Sequence, residues 1–125
     1  MRAKARTTAL ITPVDPEAQN EAKALAAAGH TVKAVRRLRK GSELSLLTAT
    51  VAVDLLTEGH TLPTTYAEAA DALPLADAPL AAELTSLLAE ADTNAAIRRL
   101  RERTDLDLLG GHHLVTELNG RRDTP

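Results

Sequence analysis

The sequence predicts an all-α protein, a small helical bundle built from two tandem three-helix repeats with a short linker helix between them. The segment from Val35 to Leu56 reappears from Ile97 to Leu118 at a constant offset of 62 residues, which indicates one supersecondary unit used twice. Apolar residues recur throughout at helical spacing. Among the 125 residues there is one aromatic side chain and no cysteine, so Leu, Val, Ile and Ala must form the core.

The two copies agree in charge as well as in apolar pattern, and each copy is too small to bury its own apolar face alone. The matched pairs are Arg36 and Arg98, Arg37 and Arg99, Leu38 and Leu100, Arg39 and Arg101, Ser42 and Thr104, Leu44 and Leu106, Leu46 and Leu108, Leu47 and Leu109, and Val53 and Val115.

The first repeat has start and stop signals for three helices. Asp15 precedes a proline, which predicts an N-cap with proline at the first helical position, and Gly29 ends that helix. A short amphipathic helix follows from Thr31, and Ser45 caps a third helix that runs to about Thr57.

The second repeat follows the same plan. Its first helix is predicted to open at Asp77 or Ala78, and Thr93 and Asp107 are predicted to cap the second and third. Between the repeats, Thr65-Tyr66-Ala67-Glu68 has the capping-box pattern, which predicts a short linker helix from Tyr66 to about Ala72. The predicted divisions of the chain are a disordered arm at 1–14, repeat one at 15–58, the linker at 59–76, repeat two at 77–119 and a disordered tail at 120–125.

The helix after Ser45 is apolar on two sides, which predicts burial on both. The stripe of Leu47, Val51 and Leu55 must meet the linker helix, the other repeat or a second chain, so these three residues are a candidate interface and a homodimer is one possible assembly. The positions expected to be buried in the repeats are Leu38, Leu46, Ala49, Val53, Leu100, Leu108 and Val115.

Each repeat also contains a helical hairpin with a distinctive residue order, Val35-Arg36-Arg37-Leu38-Arg39 before Leu44-Ser45-Leu46-Leu47-Thr48-Ala49, and Ile97-Arg98-Arg99-Leu100-Arg101-Glu102 before Thr104-Asp105-Leu106-Asp107-Leu108. Over these two helices and their turn, the chain resembles the C-terminal domain of the bacterial ribosomal stalk protein. In that family the hairpin recruits translational GTPases. The resemblance therefore implies a partner-binding role for Arg36, Arg39, Arg98 and Arg101. The second helix departs from the family, with Leu47-Thr48-Ala49-Thr50 and Leu109-Gly110-Gly111-His112 where the family has charged residues.

The basic helix faces are the candidate binding residues of this sequence: Lys33, Arg36, Arg37, Arg39, Arg98, Arg99 and Arg101. The leading hypothesis is a non-catalytic protein–protein interaction module. The resemblance implies that its partners are translation-related proteins. The alternatives are a nucleic-acid-binding accessory protein that contacts phosphates, and a non-catalytic subunit or maturation factor of an enzyme. The formal net charge of −2 gives no attraction to nucleic acid from the chain as a whole.

No catalytic motif is apparent, so the sequence predicts a protein that is not an enzyme and has no cofactor. Adjacent His112 and His113 point about 100° apart on a helix, which disfavours a shared metal ion. Paired carboxylates for acid–base catalysis are not indicated, because Asp15, Glu17, Asp105 and Asp107 fall at predicted helix starts, where N-capping explains them. The apolar runs are too short for a signal peptide or a membrane span, which predicts a cytoplasmic protein without a membrane partner.

Overall fold

The computed structural model describes residues 2–40, 42 and 44–122, and within them the chain forms eight helices and no strand, as an all-α fold predicts. The helices are α1 (Arg2–Ile11), α2 (Pro16–Ala27), α3 (Thr31–Lys40), α4 (Leu46–Thr57), α5 (Tyr66–Ala76), α6 (Ala78–Ala89), α7 (Thr93–Arg103) and α8 (Leu108–Arg122).

Most helices begin at the predicted side-chain caps. The side chains of Asp15, Ser45, Thr65 and Asp77 each accept a hydrogen bond from the backbone N–H three residues later. The start of α7 differs from the prediction, because Asp92 rather than Thr93 provides the capping oxygen. A carboxylate is the better acceptor at this position, since it interacts favourably with the helix dipole.

The prediction of a disordered N-terminal arm at 1–14 is wrong for the described part of that segment. Arg2–Ile11 form α1, and Ala5, Ala9 and Ile11 are fully buried where this helix packs on α4 and α5. The two buried alanines are four residues apart and so share a face. Their small side chains make only a weak apolar pattern, and the helices that they contact lie far along the chain.

Helix α1 also changes the interpretation of the apolar stripe on α4. Val51 and Leu55 are buried in the same core as Ala5 and Ala9 of α1. They are therefore internal and cannot form the predicted interface with a second chain. Leu47, in the first turn of α4, remains 46% exposed.

The two remaining predicted boundaries also shift. The linker helix exists but runs on to Ala76 as α5, and α8 continues through residues 120–122 of the predicted disordered tail. Arg121 explains the extension, because its guanidinium donates hydrogen bonds to the carboxylate of Asp71 at 2.6 Å and the carbonyl of Ala67 at 2.8 Å, both in α5. The rest of the tail, 123–125, lies outside the described residues.

Two apolar cores lie side by side along the chain. Helices α1 to α4, with Leu44 and Leu62 beside them, build the first core, and helices α5 to α8 build the second. Ile11 of α1 belongs to the second core, and α1 packs directly on α5. The α1–α5 contact therefore joins the two halves of the molecule.

Several local contacts recur at the offset of 62 residues. The hydroxyls of Ser42 and Thr104 each donate to a carbonyl four residues earlier, at 2.6 and 2.8 Å. Arg37 pairs with Glu21 of α2 as Arg99 pairs with Glu83 of α6. The same kinds of residue thus make the same kinds of contact in both halves.

Within the described part of the chain, no single helix is long and apolar enough to cross a bilayer. Helices α5 and α6 reach that length and composition only when taken together across a bend of 119°.

Candidate functional site

The basic helix α3 divides into a buried and a solvent-facing side. Ala34, Val35 and Leu38 face the core, because residues three and four apart lie on one face of a helix. The opposite side exposes four of the cations of this helix: Lys33, Arg36, Arg39 and Lys40.

Arg37 and Arg99, predicted to bind a partner, each form an ion pair within the chain. Each guanidinium is partly buried and forms an ion pair with a glutamate of the preceding helix, Glu21 or Glu83. Hydrogen bonding to the arginine lowers the pKa of each of these carboxyls below its ordinary value, and in turn raises the pKa of the arginine. These pairs link α2 to α3 and α6 to α7.

Exposed apolar side chains lie beside the exposed cations of α3. Val32 is 71% exposed and Leu46, the first residue of α4, is 60% exposed. Leu46 and its counterpart Leu108, also 60% exposed, were expected to be buried, and that prediction is wrong. In α4 the contact with the core belongs to Ala49 and the residues spaced from it at helical intervals, whereas Leu46 lies in the first turn on the solvent-facing side.

Between α3 and α4 these side chains line a shallow groove of about 410 Å³, called here the α3–α4 groove. Its lining residues are Thr31, Val32, Val35, Arg36, Arg39, Leu46 and Thr50. Arg36 and Arg39 continue into a neighbouring concavity with Lys40 and Ser42. Among the described residues, both depressions are lined without an acidic side chain, so the surface is apolar at its centre and positive at its rim.

The second hairpin, formed by α7 and α8, keeps only part of this surface. Arg98 and Arg101 are exposed at the positions of Arg36 and Arg39, and Leu108 is exposed at the position of Leu46. The carbon stem of Arg101 lies on α8 at Gly111, where its Cγ would be 3.3 Å from a Cβ added to that glycine.

Two other clefts lie outside the hairpin faces. One, of about 460 Å³, lies between the two hairpin turns and α1 and is lined by hydroxyls and by Asp105 and Asp107. Both aspartates have structural contacts there, since the Asp105 N–H donates to the Thr8 hydroxyl at 2.8 Å and the Asp107 carboxylate accepts from the Gly110 N–H at 2.7 Å. The other, of about 630 Å³, lies between α1, α5 and residues 59–63.

The surroundings of the histidines do not form a metal centre. His113 contacts the ring of Tyr66 with 5.2 Å between ring centroids, and His112 lies beside it. Within residues 2–40, 42 and 44–122, no three His, Asp or Glu side chains come together closely enough to hold a metal ion.

The sequence led to the cations of the site but not to its apolar centre. The charge periodicity of α3 identified Lys33 and Arg36, and the resemblance added Arg39, whereas Val32 and Leu46 were not recognised as exposed binding residues. A β-branched residue in the first turn of a strongly basic helix was the available signal for Val32. The chain matches no family model, no curated protein and no solved structure.

Proposed function

We propose that the protein is a non-catalytic protein–protein interaction module that binds its partner through the hairpin faces. The observation that carries the proposal is the exposure of Val32 and Leu46 amid the cations of α3. Apolar side chains held open to water beside a polar rim are typical of protein-binding surfaces. Burying them on a partner supplies affinity, and the arginines supply orientation and specificity.

The apolar centre of the α3–α4 groove favours a protein over a nucleic acid as the partner. A surface that only neutralises phosphates gains nothing from two exposed aliphatic side chains. Stacking on bases would require aromatic side chains, and the only one of the chain, Tyr66, contacts His113 instead. Nucleic-acid binding through the cations therefore ranks second.

We also propose that the chain is a tandem duplication whose unit has four helices. Matching ion pairs, caps and turn hydrogen bonds at the offset of 62 support this proposal. The packing of α1 on α4 and of α5 on α8 extends the correspondence to the arm and the linker. Each unit would then present one hairpin face.

Affinity capture with matched variants tests the proposed function. Replacing Val32 and Leu46 together by serine removes the apolar centre without changing the charge. The control is Leu75→Ser, which changes a leucine that is 92% exposed elsewhere on the molecule. Lysate with and without nuclease treatment is passed over the wild type and both variants, and circular dichroism checks the fold.

We expect specific protein partners on the wild type and the Leu75→Ser variant that are absent from the double variant. Translational GTPases among them would support the role implied by the stalk-like hairpin, and subunits of one enzyme would support the role of an accessory subunit. Identical partners on all three proteins, or binding that disappears with nuclease treatment alone, would contradict the proposal.

A further inference from the structure

We infer that the two hairpin faces are not equivalent, and that the α3–α4 groove binds one acidic amphipathic helix per chain while the second hairpin does not. This inference rests on the proposed function and adds to it the number of sites and the chemistry of the ligand. It follows from a comparison of residues at the constant offset of 62.

The first difference between the faces is charge. The exposed cations of α3 are Lys33, Arg36, Arg39 and Lys40, with a formal charge of +4, and Arg36 and Arg39 among them line the α3–α4 groove. At the corresponding positions the second hairpin has Ala95, Arg98, Arg101 and Glu102, a formal charge of +1. An acidic ligand is therefore attracted much more strongly to the first face.

The second difference is the number of apolar contacts on offer. Val32, Val35 and Leu46 line the α3–α4 groove. The residue at the position of Val32 in the second hairpin is Asn94, which is exposed and polar. Val35 itself is buried, so Val32 and Leu46 are the exposed apolar contacts of the first face, and the contact at Val32 is absent from the second.

The charge difference includes a change of sign at one position. Lys40 on the first face corresponds to Glu102 on the second, where the Glu102 carboxylate pairs with Arg99 at 3.2 Å. An incoming carboxylate therefore meets a cation at this position of the first face and an anion on the second.

The charge and the apolar contacts of the first face together define the ligand. A groove between two helices, with apolar anchors along its floor and cations along its rim, fits the apolar stripe of an amphipathic helix. Carboxylates flanking that stripe would form charge-assisted hydrogen bonds with Arg36 and Arg39. The ligand is therefore a helix with leucines on one side and glutamates or aspartates at its edges.

A second copy of this chain is the competing occupant. Leu108 and Leu109 are exposed next to Asp105 and Asp107, which makes an acidic and apolar patch of the complementary kind. Sedimentation of the protein alone separates this case from the one proposed.

The test uses the full chain and a fluorescein-labelled synthetic peptide of about 18 residues, with leucines at helical spacing and glutamates beside them. Fluorescence anisotropy measures its binding to the wild type, to the double variant Arg36→Glu with Arg39→Glu, and to the matched double variant Arg98→Glu with Arg101→Glu. The same peptide with lysines in place of glutamates is the charge control.

We expect one peptide bound per chain and an affinity that falls as the salt concentration rises. The Arg36 and Arg39 variant should bind the peptide about tenfold more weakly than the wild type, or more weakly still. The dissociation constant of the Arg98 and Arg101 variant should stay within about twofold of the wild-type value, because these substitutions lie outside the α3–α4 groove. Thermal melting shows that both variants are folded.

Two peptides per chain, equal losses in both variants, or no binding of the acidic peptide would overturn the inference. It is also overturned if the wild type self-associates and the Arg36 and Arg39 variant does not, since the groove would then hold a second copy. If the peptide fails while partner capture still depends on Val32 and Leu46, the inference fails and the proposed function stands. If capture does not depend on these residues, the proposed function fails whatever the peptide does.

Discussion

Ala91 is the residue at which the two halves of the molecule differ most clearly in backbone strain. It has a φ of 59°, and its counterpart Gly29 has a φ of 87°. Both residues follow the end of a helix, and the next residue closes the turn with an equivalent backbone hydrogen bond. The His30 N–H donates to the Leu25 carbonyl at 2.8 Å, and the Asp92 N–H donates to the Leu87 carbonyl at 3.0 Å. Only the glycine adopts this left-handed conformation without steric cost.

Replacing Ala91 by glycine is therefore expected to stabilise the protein by up to about 1 kcal/mol. The gain is the relief of left-handed strain, reduced by the greater freedom of glycine in the unfolded chain. Gly29→Ala is the matched opposite change and should destabilise by a similar amount. Urea unfolding of both variants measures the effect, and a loss of stability in Ala91→Gly would contradict this account.

The pair of Arg37 and Glu21 predicts a pH dependence at the residue scale. Hydrogen bonding to Arg37 lowers the pKa of Glu21 below its ordinary value of 4.5. A carboxyl whose pKa is lower in the folded state contributes stability that is complete above its unfolded pKa and is lost as the pH falls through the folded one. In Arg37→Ala the pKa of Glu21 should rise, as an NMR titration would measure.

The control for that titration is Arg99→Ala, which should raise the pKa of Glu83 and leave Glu21 unchanged. The part of the stability lost between neutral pH and pH 3 should be smaller in each arginine variant than in the wild type. An unchanged Glu21 pKa in Arg37→Ala would mean that the pair does not form in solution.

At the scale of the element, α4 and α8 combine a buried stripe with an exposed first turn. In α4, Ala49 and Val53 are buried, whereas Leu46 is open to solvent. Leu38 and Leu100, from the facing helices α3 and α7, are fully buried. A helix of this kind contributes to folding and to binding with different residues.

Truncation to alanine separates the two sets of leucines. Leu38→Ala and Leu100→Ala should each lower the free energy of unfolding by about 2–5 kcal/mol, because a cavity replaces a buried side chain. Leu46→Ala and Leu108→Ala should change it by less than about 0.5 kcal/mol. Chemical denaturation of the four variants measures this, and similar values in both sets would contradict the assignment of the exposed face.

At the scale of the whole molecule, Gln19 joins two segments that are distant in the chain. Its buried amide nitrogen donates to the carbonyls of Val14 at 3.0 Å and Leu62 at 2.9 Å, and its oxygen accepts from the Leu62 N–H at 3.1 Å. Beside it the Val14 N–H donates to the Pro63 carbonyl at 2.8 Å. The loop after α1 is thus joined to the loop between α4 and α5.

Gln19→Leu should destabilise the molecule by at least about 2 kcal/mol, because it leaves the Leu62 N–H and the Leu62 carbonyl buried without these partners. Asn20→Ala, at the exposed neighbouring position, should stay within about 0.5 kcal/mol of the wild type. Calorimetric melting compares the two. A Gln19→Leu melting temperature equal to that of Asn20→Ala would show that the two loops do not depend on this amide.

The helical class, most of the helix boundaries and the positions of the basic residues could be predicted from the sequence. These depend on local signals, namely the spacing of apolar residues, capping side chains and glycines, which act within a few residues. Asp15, Ser45 and Asp77 cap their helices as predicted for this reason.

What covers each apolar face could not be predicted, because it depends on how the helices pack together. Whether Val51 and Leu55 meet a second chain or α1 depends on the free energy of packing between segments that are distant in sequence, and the alanines of α1 gave little apolar signal. The same packing left Val32 and Leu46 exposed and paired Arg37 and Arg99 with glutamates of the preceding helices. Charge and helix formation are local properties of the chain, whereas the exposure of a side chain depends on which helices pack together.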